Sequence, residues 1–324
     1  MLDLALYRRI RLNPRPPMQR LIADLFLRAD YRNVAITVEG HENVPDTPVL
    51  FAMNHTDNFN YWPFQYWMHR RWGRYTATWV KGKNYEHPAV AAFMRWTNNI
   101  PIASRGYLIT RDFLATVGRR PETEEYRALR DAVNEQGPVA RGAVPEAVLD
   151  RPRSMLGRPF HPGGETYAQA LEGLYDQMMA WFIGLNRYAL GMDLDLLVFP
   201  QGTRSIRLSR GHIGVAQAAL ALGVPVVPVG CNRCDLVYPG SSPISKPGAV
   251  TYRVGEPMMP ADFADLAPRE DFEPFTREAE ARHRARFQAV ADRIMEHIDP
   301  LLDERHRFTD DRASDGTRGT DRFV

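Results

Sequence analysis

The sequence predicts an α/β protein with a mixed, partly parallel sheet flanked by helices and an N-terminal helical segment. Three observations support this fold class. Short apolar runs typical of strands alternate with stretches of helical periodicity. The composition, 44% hydrophobic and 25% charged, is sufficient to bury a substantial core. Finally, two polar motifs directly follow strand-like runs, and the sites of parallel sheets collect at such strand ends.

The charge and cysteine counts exclude several classes of protein. Lys and Arg number 41 and Asp and Glu 39, and the resulting net charge of +2 argues against a nucleic-acid partner. Cys231 and Cys234 are too few for a disulfide scaffold, and their C-x-x-C spacing, typical of redox or zinc sites, has no second ligand pair nearby. We therefore predict no metal site and no bound cofactor.

Residues 1–33 are predicted to form one or two short helices, broken near residues 13–14. The segment is basic and amphipathic, which is typical of a helix that lies in a membrane interface. The alternative is a helix that caps the core. Neither a signal peptide nor an apolar run of membrane-spanning length is visible in the sequence. The apolar residues on one side are Leu21, Ile22, Leu25 and Phe26.

The main domain is predicted over residues 34–302. Its predicted strands are 34–40, 49–53, 76–80, 99–103, 194–199, 224–229 and 250–254. Its predicted helices are 90–96, 167–190 and 212–222, followed by an apolar helical stripe at Phe287, Val290, Ile294, Ile298 and Leu301. We expect this last stripe to pack against the core.

Two segments differ from the rest of the chain. Residues 107–165 contain nine basic and nine acidic residues and six prolines, without a clear apolar period after residue 130. We interpret them as an insertion, with a lid, a partner surface and a plain surface loop as the alternatives. Residues 303–324 are charged and rich in Gly, Ser and Thr, which predicts a disordered tail.

Two polar motifs carry the candidate chemistry. The His55 motif, residues 54–60, reads Asn-His-Thr-Asp-Asn-Phe-Asn, and its histidine at a strand end suits an oriented general base. The Arg204 motif, residues 199–205, reads Phe-Pro-Gln-Gly-Thr-Arg-Ser, and its glycine turn and arginine suit a bound phosphate. Nucleophile-elbow, Walker, dinucleotide and zincin motifs are absent from the sequence, which argues against those enzyme classes.

Together these motifs resemble those of the lysophospholipid acyltransferase family, which includes glycerol-3-phosphate and 1-acylglycerol-3-phosphate acyltransferases. The His55 motif resembles Asn-His-x-Ser-x-x-Asp, and the Arg204 motif resembles Phe-Pro-Glu-Gly-Thr-Arg-Ser. Residues 100–102, Ile-Pro-Ile, with Arg105 resemble the second family block, and residues 224–229, Val-Pro-Val-Val-Pro-Val, resemble the fourth. The four blocks occur in the family's order.

The resemblance implies an O-acyltransferase that moves a fatty acyl group from acyl-CoA or acyl carrier protein to the hydroxyl of a glycerophosphate or lysophospholipid acceptor. It implies that His55 is the base, that no covalent acyl-enzyme forms, and that the enzyme is peripheral on the cytoplasmic face of a membrane. Pro228 would shape the apolar floor near the acyl chain. The residues it assigns to the acceptor phosphate are Arg105, Gly202 and Arg204, with Gln201 and Thr203 as further substrate contacts.

Two positions depart from the family pattern. Asn60 stands where the family has aspartate, and Gln201 where it has glutamate. An aspartate stabilises the imidazolium form of the base, whereas an amide only fixes the tautomer. Asp57 is predicted either to supply the missing charge or to cap the following helix. The alternative function is therefore a catalytically impaired relative that binds acyl lipids as a scaffold or regulator.

Overall fold

Seven strands form the main sheet and two form a separate hairpin in residues 1–308, the part of the chain that the computed structural model describes. The strands are β1 (Val34–Glu39), β2 (Leu50–Met53), β3 (Thr76–Lys81), β4 (Ile100–Ile102), β5 (Arg153–Met155), β6 (Arg158–Phe160), β7 (Asp195–Val198), β8 (Val226–Asn232) and β9 (Gly248–Val254). All seven predicted strands are present, and their ends differ from the predicted ones by at most three residues.

Helices connect most of these strands. They are α1 (Leu4–Arg9), α2 (Pro17–Leu21), α3 (Arg28–Asp30), α4 (Trp62–Trp72), α5 (Pro88–Trp96), α6 (Arg105–Val117), α7 (Thr123–Glu135), α8 (Glu146–Asp150), α9 (Tyr167–Leu190), α10 (Ile213–Leu222), α11 (Cys234–Val237) and α12 (Arg277–Ile298). The predicted helices correspond to α5, α9, α10 and α12. The predicted α/β fold class is confirmed.

The main sheet has the strand order β1-β9-β8-β2-β7-β3-β4. The central strand β2 is parallel to both of its neighbours, β7 and β8, while β8 and β9 are antiparallel. Every residue of β2, β7 and β8 is buried, which explains their near-continuous apolar sequences. Because parallel strands end at the same edge of a sheet, the segments that follow β2 and β7 meet there.

The described chain divides into two compact units. The larger comprises residues 12–79, 96–98 and 186–308, and the smaller comprises residues 1–11, 80–95 and 99–185. The His55 motif and the Arg204 motif both belong to the larger unit, whereas Arg105 belongs to the smaller.

The predicted insertion at residues 107–165 is folded, so the surface-loop alternative is wrong. It contains most of α6, all of α7 and α8, and the antiparallel β5–β6 hairpin. Arg153 donates to both carboxylate oxygens of the buried Asp112 at 3.0 and 2.6 Å, which joins the hairpin to α6. In α7 the buried residues Leu129, Ala132 and Val133 make only one short helical stripe, and the sequence interpretation missed it.

The N-terminal helices include the predicted break, since α1 ends before residues 13–14 and α2 begins after them. After α2 the chain continues as a π-helix at Ile22–Leu27 and then as α3. Ala23 and Leu27 are buried, whereas Leu21, Leu25 and Phe26 are exposed. No helix within residues 1–308 combines the length and the hydropathy needed to cross a membrane.

Residues 303–308, the start of the predicted tail, include a short 3-10 helix at Glu304–His306. His306 is fully buried. The remaining residues of that predicted tail, 309–324, lie outside the described residues.

Candidate active site

The two polar motifs meet at the carboxyl edge of the sheet. The backbone N–H of His55, two residues after the end of β2, donates to Oε1 of Gln201 at 2.9 Å. In the other direction, the N–H of Ser205 donates to the carbonyl of His55 at 2.8 Å. The structure therefore brings the candidate base and the candidate anion loop together, because β2 and β7 are parallel neighbours.

Asn60 fixes the orientation and the tautomer of His55. The Nδ2 group of Asn60 donates to the Asn54 carbonyl at 2.7 Å, so its Oδ1 faces Nδ1 of His55 at 3.1 Å. An amide oxygen can only accept a hydrogen bond, so Nδ1 carries a proton, and in the neutral ring the lone pair is on Nε2. This is the tautomer that a general base acting through Nε2 requires.

The ring of Phe199 holds one face of the imidazole. The two ring centroids are 4.1 Å apart and the planes differ by 16°. Phe199 is the first residue after β7, and an offset or stacked aromatic pair contributes about 0.5–1.5 kcal/mol beyond area burial. The imidazole is thus restrained on one face and at Nδ1.

Two residues that the sequence interpretation did not assign support this corner. Asn54 bridges to β8, since its Nδ2 donates to the Cys231 carbonyl at 2.9 Å and its Oδ1 accepts from the Cys231 N–H at 2.7 Å. The hydroxyl of Tyr252, on β9, donates to the Asn60 carbonyl at 2.7 Å. Asn54 was visible as the first residue of the His55 motif, whereas nothing in the sequence pattern pointed to Tyr252.

Asp57 is buried, and its carboxylate bonds within its own turn. Its Oδ1 accepts from the N–H of Phe59 at 2.8 Å, and its Oδ2 accepts from the Thr56 hydroxyl at 2.9 Å. The helix-cap alternative is wrong, because α4 begins at Trp62. Burial, partly offset by these hydrogen bonds, raises the pKa of Asp57 to about 6.

Gln201 is 1% exposed and uses both ends of its side chain within the protein. Oε1 accepts from the His55 N–H, as described above, while Nε2 donates to the Ser209 hydroxyl at 3.1 Å and the Arg207 carbonyl at 3.3 Å. A glutamate in this place would accept but not donate, and its charge would face the Arg207 carbonyl. The amide therefore fits the observed hydrogen-bond network.

The candidate anion loop is Gly202-Thr203-Arg204, and all three residues are half-buried. Gly202 has φ +63°, and a Cβ on it would lie 2.7 Å from Cδ2 of His212, so the turn requires glycine. Within residues 1–308, the Arg204 guanidinium has no ion-pair or hydrogen-bond partner. Such an arginine beside backbone N–H groups is suited to a phosphate.

The remaining predicted substrate residues belong to other elements of the fold. Pro228 is buried in β8, opposite Ala52 of β2. Arg105 begins α6 and forms a bidentate ion pair with Glu172, with a shortest N···O distance of 2.6 Å, and its guanidinium lies 4.0 Å from the Tyr175 ring centroid. The predicted contact of Arg105 with the acceptor phosphate stays a prediction.

A row of aromatic rings runs from His55 to the exposed face of the N-terminal helices. Tyr61 lies 5.9 Å from Phe199 and 6.5 Å from Trp62, and Trp62 lies 6.3 Å from Phe26, all between ring centroids. Phe26 is 40% exposed and Leu25, next to it, is 65% exposed. The row of rings therefore connects the candidate base to the exposed apolar side chains of the N-terminal helices.

The two cysteines of the C-x-x-C motif are buried and free. Among the described residues, no group of three or more His, Cys, Asp or Glu side chains is arranged to hold a metal ion. The Cys231 thiol approaches the Asn60 carbonyl at 3.8 Å, so the pair packs directly behind the His55 motif.

Comparisons with known proteins add a likeness to solved structures. The sequence matches no protein-family model, and no curated protein is similar to it. Among solved structures, the chain is similar to PlsC from Thermotoga maritima, a 1-acyl-sn-glycerophosphate (LPA) acyltransferase. The identity is 17% and the TM-score 0.42, over 87% of this chain and 79% of that one. Function is therefore inferred from the side chains of the site.

Proposed function

We propose that this protein is an O-acyltransferase that moves a fatty acyl group from an acyl thioester to the hydroxyl of a phosphate-bearing glycerolipid acceptor. The observation that carries the proposal is the pairing of His55 with Asn60 beside the Arg204 loop. The imidazole is oriented as a base, and a cation suited to a phosphate lies on the adjoining loop.

In the proposed reaction, Nε2 of His55 removes the proton from the acceptor hydroxyl. The alcohol oxygen attacks the thioester carbonyl, and the resulting tetrahedral intermediate collapses by breaking the C–S bond. The thiolate takes the proton from the imidazolium, which leaves an ester and a free thiol. The imidazole of His55 is restored to its neutral form at the end, and the alcohol attacks the thioester directly. No covalent acyl-enzyme is therefore required.

Arg204 is proposed to bind the acceptor phosphate through charge-assisted hydrogen bonds. Thr203 and the backbone of Gly202 lie on the same turn, and Gln201 holds that turn against His55. The proposed donor is acyl-CoA or acyl carrier protein, with Pro228 in the apolar floor beneath the acyl chain.

An acyltransferase assay on His55 variants tests this proposal. The measurement is free-thiol release from long-chain acyl-CoAs, with glycerol-3-phosphate or lysophosphatidate as acceptor. We expect acceptor-dependent release by the wild type and a loss of about 10²–10⁴-fold in His55→Ala, the usual contribution of a general base. His297→Ala is the matched control, because His297 is exposed on α12 and, among residues 1–308, bonds only within its helix. Full activity in His55→Ala would remove His55 as the base.

A second candidate function is an acyl-lipid-binding scaffold or regulator. Asn60 and Gln201 favour it, since neither can neutralise an imidazolium, and loss of the equivalent charge in a serine-protease triad costs about 10⁴ in turnover. Acyl-CoA binding without thiol release, unchanged by His55→Ala, would support this alternative over the enzyme.

We further propose a peripheral attachment to a membrane through Leu21, Leu25 and Phe26. They are 51%, 65% and 40% exposed, and arginines flank them at positions 20 and 28. Replacing the three with glutamine should reduce co-sedimentation with anionic vesicles, because the exposed apolar side chains are removed. The fold of the segment should persist, since the buried Ala23 and Leu27 still hold it in place. The control is Met259→Gln, which removes a similarly exposed side chain, 46% exposed, outside these helices. Equal binding by the triple variant and the wild type would exclude this surface.

A further inference from the structure

The segment Asp299–Phe308, here called the C-terminal strap, lies across the ends of β8 and β9. The N–H of Asp303 donates to Oδ1 of Asn232 at 2.7 Å, and Nδ2 of Asn232 donates to the Leu301 carbonyl at 3.1 Å. Arg253, on β9, donates to the same carbonyl at 3.1 Å. A Cβ on Gly230 would lie 2.6 Å from the Leu301 oxygen, so the strap packs closely on β8.

His306, near the end of the strap, is fully buried and bonds at both ring nitrogens. Its Nε2 accepts from the backbone N–H of Arg233 at 3.1 Å, and its Nδ1 lies 2.8 Å from the Ile206 carbonyl. Because an amide N–H can only donate, Nε2 carries the lone pair and Nδ1 donates to Ile206. The backbone carbonyl of His306 also accepts from the N–H of Leu208 at 2.8 Å.

These contacts restrain the loop that carries Arg204. Residues 203–209 contain neither helix nor strand, so their conformation depends on bonds to other segments. On one side, Ser205 and Ser209 bond to His55 and Gln201. On the other side, Ile206 and Leu208 bond to His306. The loop is therefore held between the candidate base and the strap.

We infer that His306 is a positioning residue for the loop that carries Arg204, residues 203–209, which it holds through Ile206 and Leu208. The inference rests on the proposed function for its catalytic meaning, but the contact itself exists without substrate. His306 and Arg204 are about 100 residues apart in the sequence. They come together because the strap, which follows α12 in the chain, returns to the end of β8.

Hydrogen exchange in the full chain without substrate tests the positioning directly. In His306→Ala we expect the peptides covering residues 201–210 to exchange about tenfold faster, because a hydrogen bond between buried groups is lost. His306→Asn should return exchange to near the wild-type rate, since its amide N–H can replace Nδ1–H. His297→Ala is the control. Unchanged loop exchange in His306→Ala, or an equal rise in β2 and β8, would overturn the inference.

Steady-state kinetics give the second readout. If the proposed reaction occurs, His306→Ala should raise the KM for glycerol-3-phosphate about tenfold with little change in the KM for acyl-CoA, and His306→Asn should restore it. A fall in kcat alone would contradict a role in placing the phosphate loop. Absence of acyl transfer by the wild type would refute the proposed function only, because the exchange measurement then decides the inference by itself.

Discussion

Asn60 and Gln201 each use both ends of the side-chain amide, and a carboxylate in either place has no hydrogen to donate. The neighbours that can only accept are the carbonyl groups of Asn54 and Arg207, and the Ser209 hydroxyl also accepts from the Gln201 amide. At the residue scale, the two departures from the acyltransferase motifs are therefore matched to their surroundings. An ionised acidic side chain in either place would lose the hydrogen bonds that the amide donates.

Asn60→Asp is expected to lower the free energy of unfolding by about 1–3 kcal/mol at pH 7, because the carboxylate would face the Asn54 carbonyl. Because it would face that carbonyl, the introduced carboxyl group should have a raised pKa in the folded chain. The penalty should thus shrink as pH falls towards 5 and the protonated acid donates to that carbonyl. Urea unfolding of both proteins across this range provides the measurement. A penalty that stays constant with pH would contradict this account.

The turn after β7 depends on a glycine for two separate reasons. Gly202 has a positive φ, and its missing side chain leaves room for the ring of His212. At the element scale, the strand end, the tight turn and the start of α10 pack so closely that the N–H of His212 donates to the Pro200 carbonyl at 2.9 Å. The anion loop has its shape because this turn is short.

Gly202→Ala should destabilise the protein more than Gly223→Ala. Both glycines have φ +63°, and an alanine there costs about 1–2 kcal/mol, but nothing lies within 4 Å of a Cβ at Gly223. The difference between the two variants measures the contact with His212. Thermal unfolding gives this difference, and equal losses would mean that the ring moves aside without cost. Gly202→Ala should also raise the KM for the acceptor.

At the scale of the whole molecule, a buried carboxyl beneath the site makes stability depend on pH. Asp57 is 3% exposed, and burial raises its pKa to about 6, against about 4 in an unfolded chain. A raised pKa means that the folded state holds the proton more tightly. Its contribution to stability is therefore complete below about pH 4 and is lost as pH rises to about 6.

The comparison of wild type with Asp57→Asn isolates this contribution. The amide keeps the acceptor for the Phe59 N–H but does not ionise. The free energy of unfolding of the wild type, relative to the variant, should fall by about 2 kcal/mol between pH 4 and pH 6. Urea unfolding at several pH values provides the test, and parallel stability curves for the two proteins would show that Asp57 is not the titrating group.

The sequence alone predicted the α/β class, the seven strands of the main sheet and the two motifs that meet at its edge. It could do so because strands and helices have different apolar periods, and because the residue types of a base and an anion loop are local features. It did not predict α7, whose buried stripe is only Leu129, Ala132 and Val133, nor the ion pair between Arg153 and Asp112.

Only the tertiary structure decided which groups surround the candidate base. The Asn54 bridge to β8, the Tyr252 hydroxyl on Asn60 and the bond of His306 to Ile206 join residues between about 100 and 200 positions apart. Such contacts follow from strand order and from the path of the chain after α12, and no local pattern encodes them. The sequence determined what chemistry the site contains, and the fold determined what holds it in place, because hydrogen-bond partners are set by proximity in space.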